Sequence, residues 1–114
     1  MVEFNLSHKA VLDDMLLSVR GVRPGKMFGY PAYYAGKKLS ICIVADGVGM
    51  KLPSEAAEKL LDEDPRITPF QPLGRPKMKE WIQINPASSE DLQDYIAIFT
   101  RSIEYVLTIQ SGGK

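Results

Sequence analysis

The seven residues from Leu39 to Ala45 (Leu-Ser-Ile-Cys-Ile-Val-Ala) form an almost unbroken apolar run. A run of this kind reads as a central strand covered on both faces, so the chain around it must supply neighbouring strands and packed layers. Asp46-Gly47 follows directly and is a strong hairpin signal, because a type I′ turn needs positive φ at both central positions. Val48 to Leu52 is then expected to return antiparallel. Upstream, Met27 to Ala35 is aromatic and apolar and leads into a turn at Ala35-Gly36-Lys37. It is expected as the first strand, and Pro31, which has no N–H to give a ladder, makes it an edge strand or a bulged one.

Helical periodicity brackets these strands. Ser7 is a suitable N-cap, and Leu12, Met15, Leu16 and Val19 follow on one stripe until Gly21 offers a stop and Pro24-Gly25 a loop. Ser54 is placed to cap a second helix with Ala56, Ala57, Leu60 and Leu61 facing inward, ended by Pro65. The four prolines between Pro65 and Pro76 predict a loop, with an extended piece at Ile67 to Phe70. Lys79 to Asn85 alternates as a strand, with Trp81 and Gln83 opposite to Ile82 and Ile84. Ser88 and Asp91 have capping-box spacing, and Leu92, Tyr95, Ile96, Phe99, Ile103, Val106 and Leu107 make the stripe of a last helix. The order α-β-β-β-α-β-β-α predicts an α+β fold, an antiparallel sheet with helices packed on it, as one domain over 1–114.

Charge and residue types narrow the function. The 14 basic and 14 acidic residues cancel, so there is no bulk cationic excess of the kind that holds DNA through phosphates, and no reason to expect an anionic membrane as partner. No apolar run approaches the roughly 20 residues that span a bilayer. The N-terminal Met-Val-Glu-Phe-Asn-Leu-Ser-His lacks the regions of a signal peptide, and a cytoplasmic location is expected. Cys42, the only cysteine, lies in the apolar run and reads as a small hydrophobe. One cysteine and one histidine, His8, do not make a zinc site, and His8 reads as a solvated residue near a helix start. Asp62-Glu63-Asp64 lacks the alternating spacing of a calcium loop and reads as a solvated helix end, while Glu90 and Asp91 suit the positive end of the last helix. No metal, no cofactor and no catalytic constellation is expected; an enzyme ranks last, because no nucleophile–base pair suggests itself.

Lys26-Met27-Phe28-Gly29-Tyr30-Pro31, Gly36-Lys37-Lys38, Asp46-Gly47 and Lys51-Leu52-Pro53, followed by Gly74-Arg75-Pro76-Lys77-Met78-Lys79-Glu80-Trp81 and the long last helix, resemble the TfoX N-terminal-domain family. The resemblance runs from about Leu12 to Leu107 and overlaps the related MmcQ/YjbR-like group. It implies the YjbR-like fold, a link to regulation of bacterial competence for DNA uptake, and a scaffold suggested for DNA binding. It carries over no catalytic residue.

The residues themselves single out a basic and aromatic set. Arg20, Arg23 and Lys26 precede the first strand, and Arg75, Lys77 and Lys79 lead into the Trp81 strand. If those two segments are neighbours in the sheet, six cations share one patch beside Tyr30, Tyr33, Tyr34 and Trp81, with phosphate neutralisation and base stacking as its chemistry. The alternative is that the aromatics pack on the sheet and the cations are its solvated rim. Lys51 is either an anion-binding residue or an edge charge that blocks sheet-to-sheet association. The expected function is a small binding or regulatory domain contacting nucleic acid or a regulatory protein. The alternative is a protein–protein module, a homodimer, with no nucleic-acid role.

Overall fold

The computed structural model of the chain describes residues 3–71 and 78–111. Around the apolar run stand six strands, β1 (Val22–Met27), β2 (Tyr30–Ala35), β3 (Lys38–Val44), β4 (Gly47–Lys51), β5 (Ile67–Pro69) and β6 (Trp81–Ile84), all paired antiparallel in the spatial order β1-β2-β3-β4-β6-β5. The helices are α1 (Leu6–Leu16), α2 (Ser54–Glu63) and α3 (Ile96–Ser111), the last preceded without a break by a 3-10 helix, Ser89–Tyr95. The fold is α+β, as expected, with β3 in the middle of the sheet. None of the helices among the described residues is long and apolar enough to cross a membrane.

The element order is α-β-β-β-β-α-β-β-α, one strand more than expected. The additional strand is β1, which runs through Pro24-Gly25, read above as a loop. It pairs with β2 without interruption from Val22–Ala35 to Met27–Tyr30. As an edge strand it tolerates Pro24, since an edge residue can do without a ladder donor. Pro31 accordingly lies in an inner strand and not at an edge. The irregularity expected near it falls instead between Tyr33 and Tyr34: Tyr33 pairs with Ile41 and Tyr34 with Leu39, which leaves Ser40 as the inserted residue of a β-bulge.

The bulge rephases β3. Ser40 and Ile41 turn to the helix-covered face, where the buried Ser40 and Ser102 hydroxyls lie 2.8 Å apart, while Leu39 and Cys42 turn to the other. On the helix face Leu12, Leu16, Tyr33, Ile41, Ile43, Met50, Ile82, Ile84, Phe99 and Val106 form the main core. On the opposite face Ala32, Cys42 and Phe70 are buried together, with Met27, Tyr34, Leu39, Val44 and Trp81 packed around them. Phe70 lies on Gly49, where a Cβ would come within 2.5 Å of its ring.

Helix ends differ from the sequence reading in instructive ways. Asn5, not Ser7, caps α1, accepting from the His8 amide at 3.0 Å, and the helix stops at Leu16, well before Gly21. Pro53 precedes α2, so Ser54 is its first residue and caps nothing. The Ser88–Asp91 box does not form: Asp91 is engaged by Arg66 at 3.1 Å, and the segment winds as 3-10 helix. The change from three to 3.6 residues per turn shifts the phase of the stripe, which leaves Ile96 exposed while Leu92, Phe99, Ile103 and Val106 stay buried. The positive φ of the β3–β4 turn falls on Ala45 (54°), so the turn pair is Ala45-Asp46 and Gly47 is already strand.

Candidate functional site

Two turns bring cations together at one corner of the sheet. Gly21, at φ 90°, redirects the chain from α1 into β1 and accepts from the Gly36 amide at 2.9 Å, which fastens the β2–β3 turn beside it. The Arg23 guanidinium donates to the Gly36 carbonyl at 2.8 Å. From α3, Gln110 closes the same corner, accepting from the Lys37 amide at 2.9 Å and donating to the Ala35 carbonyl at 2.6 Å. Arg20, Arg23, Lys37 and Lys38 therefore surround one end of the β1–β2–β3 segment, and Lys26 stands near the hairpin tip. All five are exposed, and none takes part in an ion pair among the described residues.

Aromatic residues line the same half of the sheet on the face without helices. Tyr30 faces Met27 across the hairpin, and the Tyr34 ring lies against Gly25, its hydroxyl donating to the Lys26 carbonyl at 2.8 Å. Phe28 forms the tip, 56% exposed. Tyr33 leaves the set. It points to the helix face, where its hydroxyl donates to Asp13 at 2.5 Å; burial and then that carboxylate push its pKa far up. Burial opposes ionisation of Asp13 too, but hydrogen bonds from Lys9 and Tyr33 outweigh it and hold the carboxyl below its ordinary range.

The strand that carries Trp81 lies elsewhere in the sheet. β6 is separated from β1 by β2, β3 and β4, which at about 4.8 Å per step puts them roughly 19 Å apart. The premise that the Trp81 strand neighbours the first strands of the sheet does not hold. Trp81 stacks on Phe70 with ring centroids 5.3 Å apart. Lys51 is not an edge charge, because β4 is an inner strand. Its ammonium lies 2.8 Å from Glu80 and 5.9 Å from the Trp81 ring centre. Glu80 also accepts from the Tyr105 hydroxyl at 2.7 Å, and these two donors lower its pKa. Lys79 is exposed in the turn before β6. Arg75 and Lys77 lie outside the described residues.

The remaining chemistry-bearing groups are spent inside. His8 is 2% exposed, not solvated. Its Nε2 meets the Asp46 carbonyl oxygen at 2.9 Å and must donate there, since a carbonyl only accepts. Its Nδ1 lies 2.6 Å from the Ser89 hydroxyl. The chain thus does hold one hydroxyl–imidazole pair, which residue types alone did not reveal, but both ring nitrogens are used to pin the 3-10 helix to α1 and the β3–β4 turn. Cys42 is wholly buried, and that burial pushes its thiol up to about 12. A cleft of about 500 Å³ opens between α2 and β6, lined by Ser54, Glu55, Glu58, Leu61, Lys79 and Trp81 among others, without Lys51. No group of three or more metal-ligating side chains occurs among the described residues.

Lys37 and Lys38 are members of the cationic corner that the sequence reading did not place in the site. The signal for them is the absence of carboxylates: from Met15 to Ala45 the chain has five cations and no Asp or Glu. Comparison with protein-family models, with curated proteins and with solved structures finds no match to this chain.

Proposed function

We propose that this chain is a small non-enzymatic binding domain of the TfoX N-terminal type, and that it contacts nucleic acid through the β1–β2–β3 end of its sheet. One observation carries the reading. The formal net charge of zero conceals a separation, since five cations and no carboxylate fall between Met15 and Ala45, leaving nine basic against fourteen acidic residues for the rest. Arg20, Arg23, Lys26, Lys37 and Lys38 stand exposed on that segment without carboxylate partners among the described residues. Cations in this state release counterions from a phosphate backbone on contact, whereas Lys51 and Arg66, already paired, would first have to surrender Glu80 and Asp91. A homodimer through the free edge of β1 is disfavoured: Pro24 offers no N–H, and Arg23 and Lys26 repel their own copies.

Fluorescence anisotropy with a labelled oligonucleotide tests this. Five phosphate contacts predict an affinity loss of about a hundredfold or more between roughly 50 and 200 mM salt. Arg23→Glu combined with Lys38→Glu should abolish binding, while Lys59→Glu on α2 should leave it unchanged. Absence of binding at low salt, or equal binding by the doubly reversed chain, would falsify the proposal.

A further inference from the structure

We infer that the cleft between α2 and β6 binds a short apolar peptide with free termini, taking its ammonium on one wall and its carboxylate on the other. This site is independent of the cationic corner, whose β1 is separated from β6 by β2, β3 and β4.

α2 forms the first wall. Ala57 is buried and Leu60 packs against the main core, while Ser54, Glu55, Glu58 and Leu61 share the side of the helix that borders the cleft. Glu55 and Glu58 are exposed there, three residues apart and close enough to meet one cation together. The other wall is the turn that enters β6, where Lys79 is also exposed. None of these three belongs to an ion pair; the pairs among the described residues are Lys9–Asp13, Lys51–Glu80 and Arg66–Asp91. Two carboxylates and an ammonium thus border one cleft without meeting across it. A ligand with opposite charges at its two ends complements both walls.

Between the charges the lining is apolar. Leu61 and Pro69 are half-buried, and Met78, whose unbranched chain adapts to an irregular surface, is 39% exposed. Trp81 is fixed in place: its ring stacks on Phe70 with centroids 5.3 Å apart, and the Lys51 ammonium stands 5.9 Å from its centre. A ring already held still loses little freedom when a ligand arrives. The cleft measures about 500 Å³, within the roughly 300–1,000 Å³ of pockets that enclose small organic ligands, and more than a single amino acid fills. A peptide of about two or three apolar residues with unblocked ends matches its size, its lining and its charges.

Trp81 is the only tryptophan of the chain, so its fluorescence reports on the cleft directly. Titration with leucyl-alanyl-leucine, followed by tryptophan emission and by calorimetry, should saturate. Acetylating the peptide's amine, amidating its carboxylate, or replacing it with free leucine should each weaken binding by about tenfold or more. In the chain carrying Glu55→Gln and Glu58→Gln, the acetylated and free peptides should bind alike; in Lys79→Met, the amidated and free peptides should. A merely structural role for these side chains would not remove the two preferences one at a time. Absence of saturable binding at millimolar peptide, or equal affinity for free and blocked peptides, overturns the inference. Free leucine binding as tightly as the tripeptide overturns it as well.

Discussion

Among the described residues, three helices and a 3-10 segment press seventeen buried side chains into a continuous core on one face of the sheet; on the other, the Phe70 ring fills the hollow left by Ala32, Cys42 and Gly49. The helix face is built by redundancy, with Leu, Ile, Val and Phe drawn from many elements, so any one contact is backed by others. The second face is built by fit. Small residues on successive strands leave a space that one aromatic occupies, steadied from the side by Trp81. The difference shows how a central strand comes to be covered on both sides when the described helices all lie on one.

Phe70 is the residue on which the second face depends most. Phe70→Ala should cost about 3–5 kcal/mol in urea unfolding, and it should open Cys42 to a thiol reagent under native conditions, where the wild-type thiol stays silent. A loss well below that range with a protected Cys42 would mean that the second face is held by something other than this ring. A smaller effect is expected from Gly49→Ala, whose methyl would meet the ring at 2.5 Å and should cost about 1–3 kcal/mol. If fit is the cause, combining it with Phe70→Leu should destabilise less than the two losses added together, and simple additivity would count against the packing account.

The smallest effect concerns the helix face, at the Tyr33–Asp13 bond. The Asp13 carboxyl binds its proton less readily folded than unfolded, so its contribution is complete above the ordinary value of 3.8 and is lost as pH falls through the lower folded value. Urea midpoints measured between pH of about 3 and 6 should fall more steeply at the acid end for the wild-type chain than for Asp13→Asn. Parallel curves for the two chains would show that the carboxylate is not linked to folding.

Much of the architecture was written in residue pattern. The Leu39–Ala45 run announced a strand with two covered faces, and the alternation around Trp81 and Ile82 gave both its strand and its faces correctly. β1 was hidden because Pro24-Gly25 carries a local loop signal, whereas its pairing depends on a partner ten or so residues away. Asn5 took the cap from Ser7 for a similar reason, since the same asparagine also reaches Asp46 at 3.2 Å from across the fold. The site was less legible. Arg20, Arg23 and Lys26 could be named as cations, but which other cations join them depends on strand order, and strand order is a property of the whole sheet. The burial of His8 was likewise unreadable, because its partners, Ser89 and the Asp46 carbonyl, lie 81 and 38 positions away.

Gln110 gives the cationic corner an order of assembly. Its amide satisfies the Lys37 N–H and the Ala35 C=O across separations of 73 and 75 positions. In a nascent chain residues 22–44 are made before residue 110 exists, so the Lys37 N–H and the Ala35 C=O lack the Gln110 amide as partner until α3 docks. The surface that presents Lys37 and Lys38 is therefore completed late, when α3 docks, whatever the sequence in which the strands themselves have paired.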